Sequence, residues 1–332
     1  MSIAWDRLRQ IIEAHDRFLI TSHIRPDGDS IGSELGMAAM LAQKGKQSEI
    51  VNASTVPPRY QFLDPNRRIR HFGPELDPAV LRSPEVVVIL DTSAWQQLGA
   101  VAGFVRETPA KKLIIDHHIG HDDMGAELFK DTAAAACGAI LAEAVDHLGC
   151  VLTPEIAEPL FVALATDTGW FRFSSTNGRT MRIAARLIDA GLRVDRLYRT
   201  VYEESTLCRL KLLGRTLDGL QVMCNGRVAY TAIRLADFEA TGSIPQDSED
   251  LVNYTLAMIG VEVGLIFIEQ RSGAVKVSLR SRNGLDCTRV AAQFGGGGHR
   301  EAAGLTIDAP MAEALVNVLR AVETAMDKKC GP

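Results

Sequence analysis

The sequence predicts an α/β protein. An N-terminal domain is built on a parallel sheet with helices on both faces, and a helical connector leads to a smaller α/β C-terminal domain. Three observations predict this. First, three unbroken apolar runs, RFLITSH, EVVVILDT and KKLIIDHH, alternate within the first 118 residues with segments whose apolar residues recur at helical spacing. Strands buried on both faces read as continuous apolar runs, the mark of a parallel sheet covered by crossover helices. Second, residues 192–220 are charged and helical in pattern, with no proline and few glycines. Third, a shorter strand-and-helix pattern begins after them. The boundaries expected are 1–191, 192–220 and 221–332, and a chain of 332 residues is long for one core.

The elements follow in order. MSIAWDRLRQIIEAHDRF is an amphipathic, charged helix without the apolar centre of a signal peptide. RFLITSH is the first strand, and DSIGSELGMAAMLAQKGK is a helix rich in small residues. EVVVILDT and KKLIIDHH are strands, with the helix AWQQLGAVAGFVRE between them. Residues 132–148 and 154–168 read as helices, the second opened by Thr153 as N-cap and Pro154 at its first position. ATDTGWFRFSSTNGRT breaks the pattern, and TMRIAARLIDAGL is a helix ending at Gly191. In the second domain, strands are expected near 227–234, 261–270 and 274–281. Helices are expected near 248–259, 286–294 and 309–327.

Composition excludes several classes of function. Hydrophobic residues at 46% and charged residues at 23% describe an ordinary soluble protein. A net charge of −5 leaves no broad basic footprint for long duplex nucleic acid, so any nucleic-acid substrate is short and held locally. No apolar run reaches the ~18 residues of a membrane span. The six cysteines, Cys137, Cys150, Cys208, Cys224, Cys287 and Cys330, form no C-x-x-C pair. They read as reduced core residues of a cytoplasmic protein, with neither a zinc site nor a disulfide framework.

In open α/β sheets the ligand site lies beyond the carboxyl ends of the strands. His23 follows the first run, Asp91 the second, and Asp116, His117 and His118 the third. Asp27 and Asp29 stand on the turn into the first helix, where Gly28 allows a tight backbone and Gly32, Ser33 and Gly36 allow close approach to the sheet. Asp27 and Asp29 taken singly read equally well as helix N-cap acids. Asp167 ends a helix, where an acid opposes the dipole. Carboxylates this close repel, and cations would neutralise them. Imidazole and carboxylate together suit Mn²⁺, Mg²⁺ or Fe²⁺. Six candidate ligands (His23, Asp27, Asp29, Asp91, His117 and Asp167) are too many for one catalytic ion and suit two ions sharing a carboxylate. Two such ions about 3.5–4 Å apart can activate a water and clamp a phosphoryl oxygen. In the second domain, RVAAQFGGGGHREAAG offers glycine backbone N–H groups beside His299 and Arg300, and Arg280 and Arg282 stand near a strand end. Glycine-rich backbone with arginine is a phosphate-binding combination; a surface loop with a basic edge is the other reading. Trp170, Phe171 and Phe173 read as core aromatics first and as base-stacking groups second.

These residues resemble the DHH phosphoesterase family with a DHH-associated C-terminal domain, over nearly the whole chain. HIRPDGDSIGS (23–33), VVVILDTS (86–93), LIIDHH (113–118) and ATDTGWFRF (165–173) look like its four motifs in order, and GGGGHREAAG (295–304) like the signature of the associated domain. Length and the absence of sensory or membrane segments resemble the branch of bifunctional oligoribonucleases and 3′-phosphoadenosine 5′-phosphate (pAp) phosphatases, the nanoRNases. The resemblance implies a metal-dependent phosphoesterase that hydrolyses RNAs of about 2–5 nucleotides to mononucleotides, and pAp to AMP. It implies two divalent ions, Mn²⁺ foremost, with Mg²⁺ or Co²⁺ as substitutes. Carried over by position, one ion is held by His23, Asp27 and Asp91, and the other by Asp29, Asp91, His117 and Asp167. Asp91 bridges, Asp116 orients a histidine, and His118 meets the phosphate or the leaving oxygen. Arg280, Gly296, Gly297, Gly298 and His299 bind the substrate's terminal phosphate and sugar. Arg25 stands where the family usually has asparagine and adds a phosphate contact. The partners implied are short single-stranded RNA and a mononucleotide bisphosphate, with no membrane; a homodimer is left open. The alternatives are a pApA phosphodiesterase, a single-strand exonuclease, a pyrophosphatase-like phosphoanhydride hydrolase and a non-catalytic nucleotide sensor.

Overall fold

The computed structural model describes residues 3–76, 81, 84–282 and 285–327. The chain divides into two units, Met1–Glu204 and Ser205–Pro332. The first contains α1 (Trp5–Ala14), β1 (Arg17–Thr21), α2 (Gly28–Gln43), β2 (Gln47–Asn52), β3 (Ile69–His71), β4 (Val86–Leu90), α3 (Val101–Glu107), β5 (Lys111–Asp116), β6 (Glu127–Lys130), α4 (Cys137–His147), α5 (Pro154–Asp167), α6 (Gly178–Asp189) and α7 (Val194–Tyr198). Its strands run β3-β2-β1-β4-β5-β6, every neighbouring pair parallel. From β1 the chain builds outward to β3, then crosses to β4 on the other side of β1. The strand order reverses there, which opens a crevice at the carboxyl ends of β1 and β4.

The apolar runs make this sheet because both faces are covered. Val86, Val88 and Leu90 of β4 join a core with residues of α1, α2, α4 and α5. Val87 and Ile89 face the other way, with Leu19, Val51, Ile114 and the α3 residues Val101 and Val105. On the first face, α2 lies directly on α5. A Cβ at Gly32 would stand 2.2 Å from the Pro159 carbonyl oxygen, and one at Gly28 would stand 2.3 Å from Thr166 Oγ1. These two glycines let the start of α2 approach the end of α5, and so bring Asp29 toward Asp167.

The second unit contains α8 (Leu207–Asp218), β7 (Gln221–Met223), β8 (Val228–Ile233), α9 (Leu235–Thr241), α10 (Val252–Thr255), β9 (Val263–Glu269), β10 (Val275–Ser281), α11 (Cys287–Ala291), β11 (Gly297–His299), β12 (Ala302–Ile307) and α12 (Met311–Asp327). Its strands run β11-β12-β10-β9-β8-β7, antiparallel except for the parallel pair β8–β9. Val275, Val277 and Leu279 alternate inward on β10 and pack with Ala314, Val318, Val322 and Met326 of α12.

The α/β class, the parallel first sheet and the smaller second domain agree with expectation; several local readings differ. The helix expected over 132–148 begins only at Cys137, because Ala136 is extended and the first helical N–H groups go to Asp29. The stretch 192–220 is not one helix. It is α7, a π-helical turn over Arg199–Glu203, and α8, whose Thr206 caps the Arg209 amide at 3.1 Å. The helix expected near 248–259 is a 3₁₀ turn at Pro245–Ser248 and the single turn α10. Gly297–His299, for which a surface loop is one of the two readings, is an edge strand paired with β12. Short or polar strands such as β2, β3, β6 and β7 carry no long apolar run and escape a reading by periodicity. Among the described residues no cysteine is in a disulfide, and Cys137 and Cys287 are buried; Cys330 lies outside them. No helix among the described residues is long and apolar enough to cross a membrane.

Candidate metal centre

The carboxyl ends of β1, β4 and β5, three adjacent strands, meet the start of α2 and the end of α5. His23 follows β1 by two residues. Its Nδ1 lies 2.9 Å from the Ile24 carbonyl oxygen and so donates to it, leaving Nε2 as the ligand nitrogen. That Nε2 is 3.3 Å from Asp91 Oδ2 and 3.8 Å from Asp27 Oδ1. Asp27 is also the N-cap of α2, accepting from the Asp29 and Ser30 amides at 3.0 Å. Its capping role and its place in the cluster coexist. Asp29 is buried, and its two oxygens accept the Cys137 and Gly138 amides at 2.7 and 2.9 Å, the first N–H groups of α4. His117 Nε2 lies between Asp91 Oδ1 at 3.4 Å, Asp29 Oδ2 at 3.7 Å and Asp167 Oδ2 at 3.7 Å.

Asp91 is the hub. Its backbone is left-handed, with φ 57°, a conformation uncommon outside glycine and most tolerated by asparagine and aspartate. Its amide still donates to the Ile115 carbonyl. Asp91 Oδ1 is fully buried and has no well-formed hydrogen bond among the described residues, His117 Nε2 standing 3.4 Å away, an expensive state for a carboxylate oxygen.

Electrostatics reinforce this picture. Burial raises the Asp29 carboxyl well above the ordinary range, and the neighbouring Asp91 and Asp167 add to the rise. Burial also pushes Asp167 up to about 7, against the pull of His117. Burial would raise Asp91 as well, but the His117 and His23 imidazoles outweigh it and hold it below the carboxylate range. Carboxylates repelling one another around an orphaned oxygen fit divalent cations. Donor atoms of His23, Asp27 and Asp91 lie within 4.8 Å of one another, as do those of Asp29, His117 and Asp167, and those of Asp91, His117 and His118. The first two groups share no residue, and Asp91 reaches both. Mixed imidazole and carboxylate donors suit Mn²⁺ or Mg²⁺.

Asp116 and His118 form a dyad beside this cluster. The His118 amide and Nδ1 donate to Asp116 Oδ1 at 3.0 and 2.7 Å. Burial opposes ionisation of Asp116, but the His118 bonds prevail and hold it at about 2. Sequence reasoning missed the groups behind the dyad. Ser93 Oγ donates to Asp116 Oδ2 at 2.7 Å, and Lys130 Nζ stands 3.0 Å from the same oxygen. The sequence offered only a weak signal, a lysine directly after the apolar pair Leu128–Phe129 in ELFK.

It also missed Glu34, buried on α2 behind His23. Glu34 Oε2 accepts from Asn52 Nδ2 at 2.9 Å, Asn52 Oδ1 accepts the Ser22 amide at 3.2 Å, and Glu34 Oε1 has no hydrogen-bond partner among the described residues. Burial pushes this carboxyl up to about 7 despite the Asn52 amide. A folded-state value above the unfolded one means that stability is fully present below about pH 4.3 and is lost as pH rises through 7. Glu34→Gln keeps the Asn52 contact without the charge. Urea unfolding is expected to find it more stable than the parent at pH 8, by on the order of 3 kcal/mol, and equal to it at pH 4. Equal gains at both values would refute the assignment.

The remaining expected residues sit on their own elements. Arg25 is exposed, with left-handed backbone and its amide donated to Ser54 Oγ at 3.1 Å. In the second unit, Arg280 on β10 donates Nη1 to the Leu279 carbonyl at 3.0 Å. Gly296 and Gly298 lie close against β12: a Cβ would stand 2.3 Å from the Gly304 oxygen and 2.5 Å from the Ala302 oxygen respectively. Gly297 pairs with Gly304, and the His299 backbone with Ala302; the His299 side chain lies outside what is described. Trp170 and Phe171 pack around Phe161, with Trp170 also against Tyr198 and Tyr202, as core aromatics. Phe173 is 40% exposed.

Residues 17–164 match the DHH family, N-terminal domain, and residues 225–328 match the DHHA1 domain. The chain is 30% identical to the bifunctional oligoribonuclease and PAP phosphatase NrnA of Thermus thermophilus, over 98% of this chain and 96% of that one. It is 26% identical to the protein of the same name from Bacillus subtilis, over 90% and 92%. A solved structure of an exopolyphosphatase-related protein from Bacteroides fragilis superposes with a TM-score of 0.89 at 27% identity, covering 98% of this chain and 95% of that one.

Proposed function

The chain belongs to the DHH family and carries a DHHA1 domain, and from that premise we propose that it is a metal-dependent phosphoesterase cleaving very short RNAs to mononucleotides and pAp to AMP. The observation that carries this reading is the pair of donor groups joined at Asp91. The names of its relatives support the choice of substrate. His23, Asp27 and Asp91 would hold one divalent ion; Asp29, Asp91, His117 and Asp167 would hold a second, with Mn²⁺ the first candidate. Bound there, the ions supply an activated water and neutralise phosphoryl charge.

The chain's own groups do the rest. The α4 N–H groups hold Asp29 in orientation, and the Ile24 carbonyl fixes the His23 ring. His118, its Nδ1 anchored on Asp116, is assigned to the substrate phosphate and to protonation of the leaving oxygen as the phosphorus–oxygen ester bond breaks. Arg25, Arg280, the glycine run and His299 are assigned to substrate phosphate and sugar. Reduced cysteines suit a cytoplasmic enzyme.

The test is mass-spectrometric product analysis with Mn²⁺, offering pAp, an RNA dinucleotide, pApA and pyrophosphate side by side. AMP from pAp and mononucleotides from the dinucleotide are expected. Turnover of pyrophosphate alone would replace the reading with a phosphoanhydride hydrolase, and stoichiometric binding without turnover would replace it with a sensor.

A further inference from the structure

Lys130 ends β6, and the parallel register sets it directly beside Asp116 of β5. In-register neighbours project from the same face of a sheet, so the lysine's ammonium is delivered to the aspartate's carboxylate. The Lys130 side chain is 12% exposed, and Asp116 is fully buried. Nζ stands 3.0 Å from Asp116 Oδ2, 2.8 Å from Ser93 Oγ and 2.7 Å from the Gly120 carbonyl oxygen. An ammonium has three hydrogens, and each has an acceptor here. Ser93 Oγ in turn lies 2.7 Å from Asp116 Oδ2 and 2.8 Å from the Gly120 oxygen, so the four groups brace one another.

The tripod ties three points around His118. Asp116 Oδ2 is gripped from behind, so Oδ1 is presented at a set angle to His118 Nδ1. The Gly120 carbonyl, two residues past His118, is anchored to the same ammonium. Ser93, two residues past Asp91, links the loop after β4 to the same point. A half-exposed histidine on a loop is thereby held by its ring partner and by the chain on either side.

We propose that Lys130 is a positioning residue that fixes the ring of His118 through Asp116 and Gly120, with Ser93 completing the tie. The inference rests on the phosphoesterase reading for its functional consequence, but its structural content stands apart from substrate identity. Removing the ammonium frees the Asp116 carboxylate to rotate and the His118 ring to follow. The loss is expected to fall on kcat, because the contacts that hold the Lys130 ammonium are with Asp116, Ser93 and Gly120, through which it acts on His118.

The experiment compares the parent with Lys130→Met, which keeps the aliphatic stem, and with Ser93→Ala, a smaller lesion that serves if the first fails to fold. Three readouts are taken: kcat and KM with Mn²⁺ on bis(p-nitrophenyl) phosphate and on pAp, Mn²⁺ affinity by calorimetry, and the ¹⁵N shifts of the His118 ring in metal-free protein, assigned through His118→Asn. The expected result is a kcat lower by about 10–100-fold in Lys130→Met, with KM and Mn²⁺ affinity unchanged. The ring is expected to change from one tautomer with its hydrogen on Nδ1 to an averaged spectrum. In Lys130→Ala, added ethylammonium is expected to restore part of kcat, and tetramethylammonium is not. Parent-like kcat with unchanged ring shifts overturns the inference. A parent enzyme that releases p-nitrophenol but neither AMP nor mononucleotides overturns the substrate reading and leaves Lys130 to be judged on p-nitrophenol. A parent inactive on every substrate overturns the phosphoesterase reading, and the ring spectra alone then decide Lys130.

Discussion

Asp91→Ala is expected to abolish turnover of both pAp and an RNA dinucleotide. Asp91 reaches both donor groups, at 3.3 Å from His23 Nε2 and 3.4 Å from His117 Nε2. Its loss removes a ligand from each proposed ion. Bound ions are worth several kcal/mol of transition-state stabilisation, and each ~1.4 kcal/mol is tenfold in rate, so kcat is expected to fall by at least about a thousandfold. Thermal melts separate this from misfolding. A ligand that binds only the folded state raises stability by about 2.7 kcal/mol at a hundred times its dissociation constant. The parent's melting temperature should therefore climb with added Mn²⁺, and that of Asp91→Ala should stay still. The metal-free variant should still melt cooperatively but below the parent, because the His23 and His117 imidazoles lose the carboxylate they hold ionised and alanine tolerates the left-handed backbone less well than aspartate. A variant that kept a Mn²⁺-dependent rise and substantial turnover would remove Asp91 from the centre of the site.

Gly32→Val is expected to be the most damaging substitution away from the ligands. The first side-chain carbon would meet the Pro159 carbonyl oxygen at 2.2 Å and the Ala163 backbone nitrogen at 3.1 Å. Both are backbone atoms of α5, so relief requires the helices to separate. Overpacking of this kind costs about 3 kcal/mol or more, and here it would also move Asp29 from Asp167. Chemical denaturation and Mn²⁺ titration should show both losses together. Gly103→Ala is the control. It lies on α3 with open space around its Cβ position, and alanine inside a helix stabilises by about 0.5–1 kcal/mol. A Gly32→Val protein as stable as the parent would mean that α2 and α5 need not touch at this point.

How much of this was legible beforehand depends on the range of the interaction. The runs RFLIT, VVVIL and KKLIID stand out because a strand buried on both faces must be apolar throughout. Strands such as QSEIVN and ELFK lack that signature, since each has polar or half-buried positions. The strand in the glycine run was not legible, because glycine's freedom is compatible with a loop as well as with a strand, and only pairing with β12 puts Gly297 and Gly298 into an edge strand. Asp27 satisfied both readings open to it, as N-cap and as neighbour of His23, because a helix N-terminus that presents amides inward also presents its cap to the crevice.

The sequence by itself determined the class of fold, the parallel first sheet and the kind of chemistry. Each rests on short-range patterns: apolar continuity along a strand, helical spacing, and acids and imidazoles at strand ends. Tertiary structure alone decided what each group is paired with. Asp29 meets the start of α4 across 108 residues of chain, Lys130 is set beside Asp116 by strand register, and Glu34 is shut away with Asn52. The physical reason is that hydrogen bonds and charges act over a few ångströms of space, and only the crossing of helices and the order of strands determine which distant residues come within that reach.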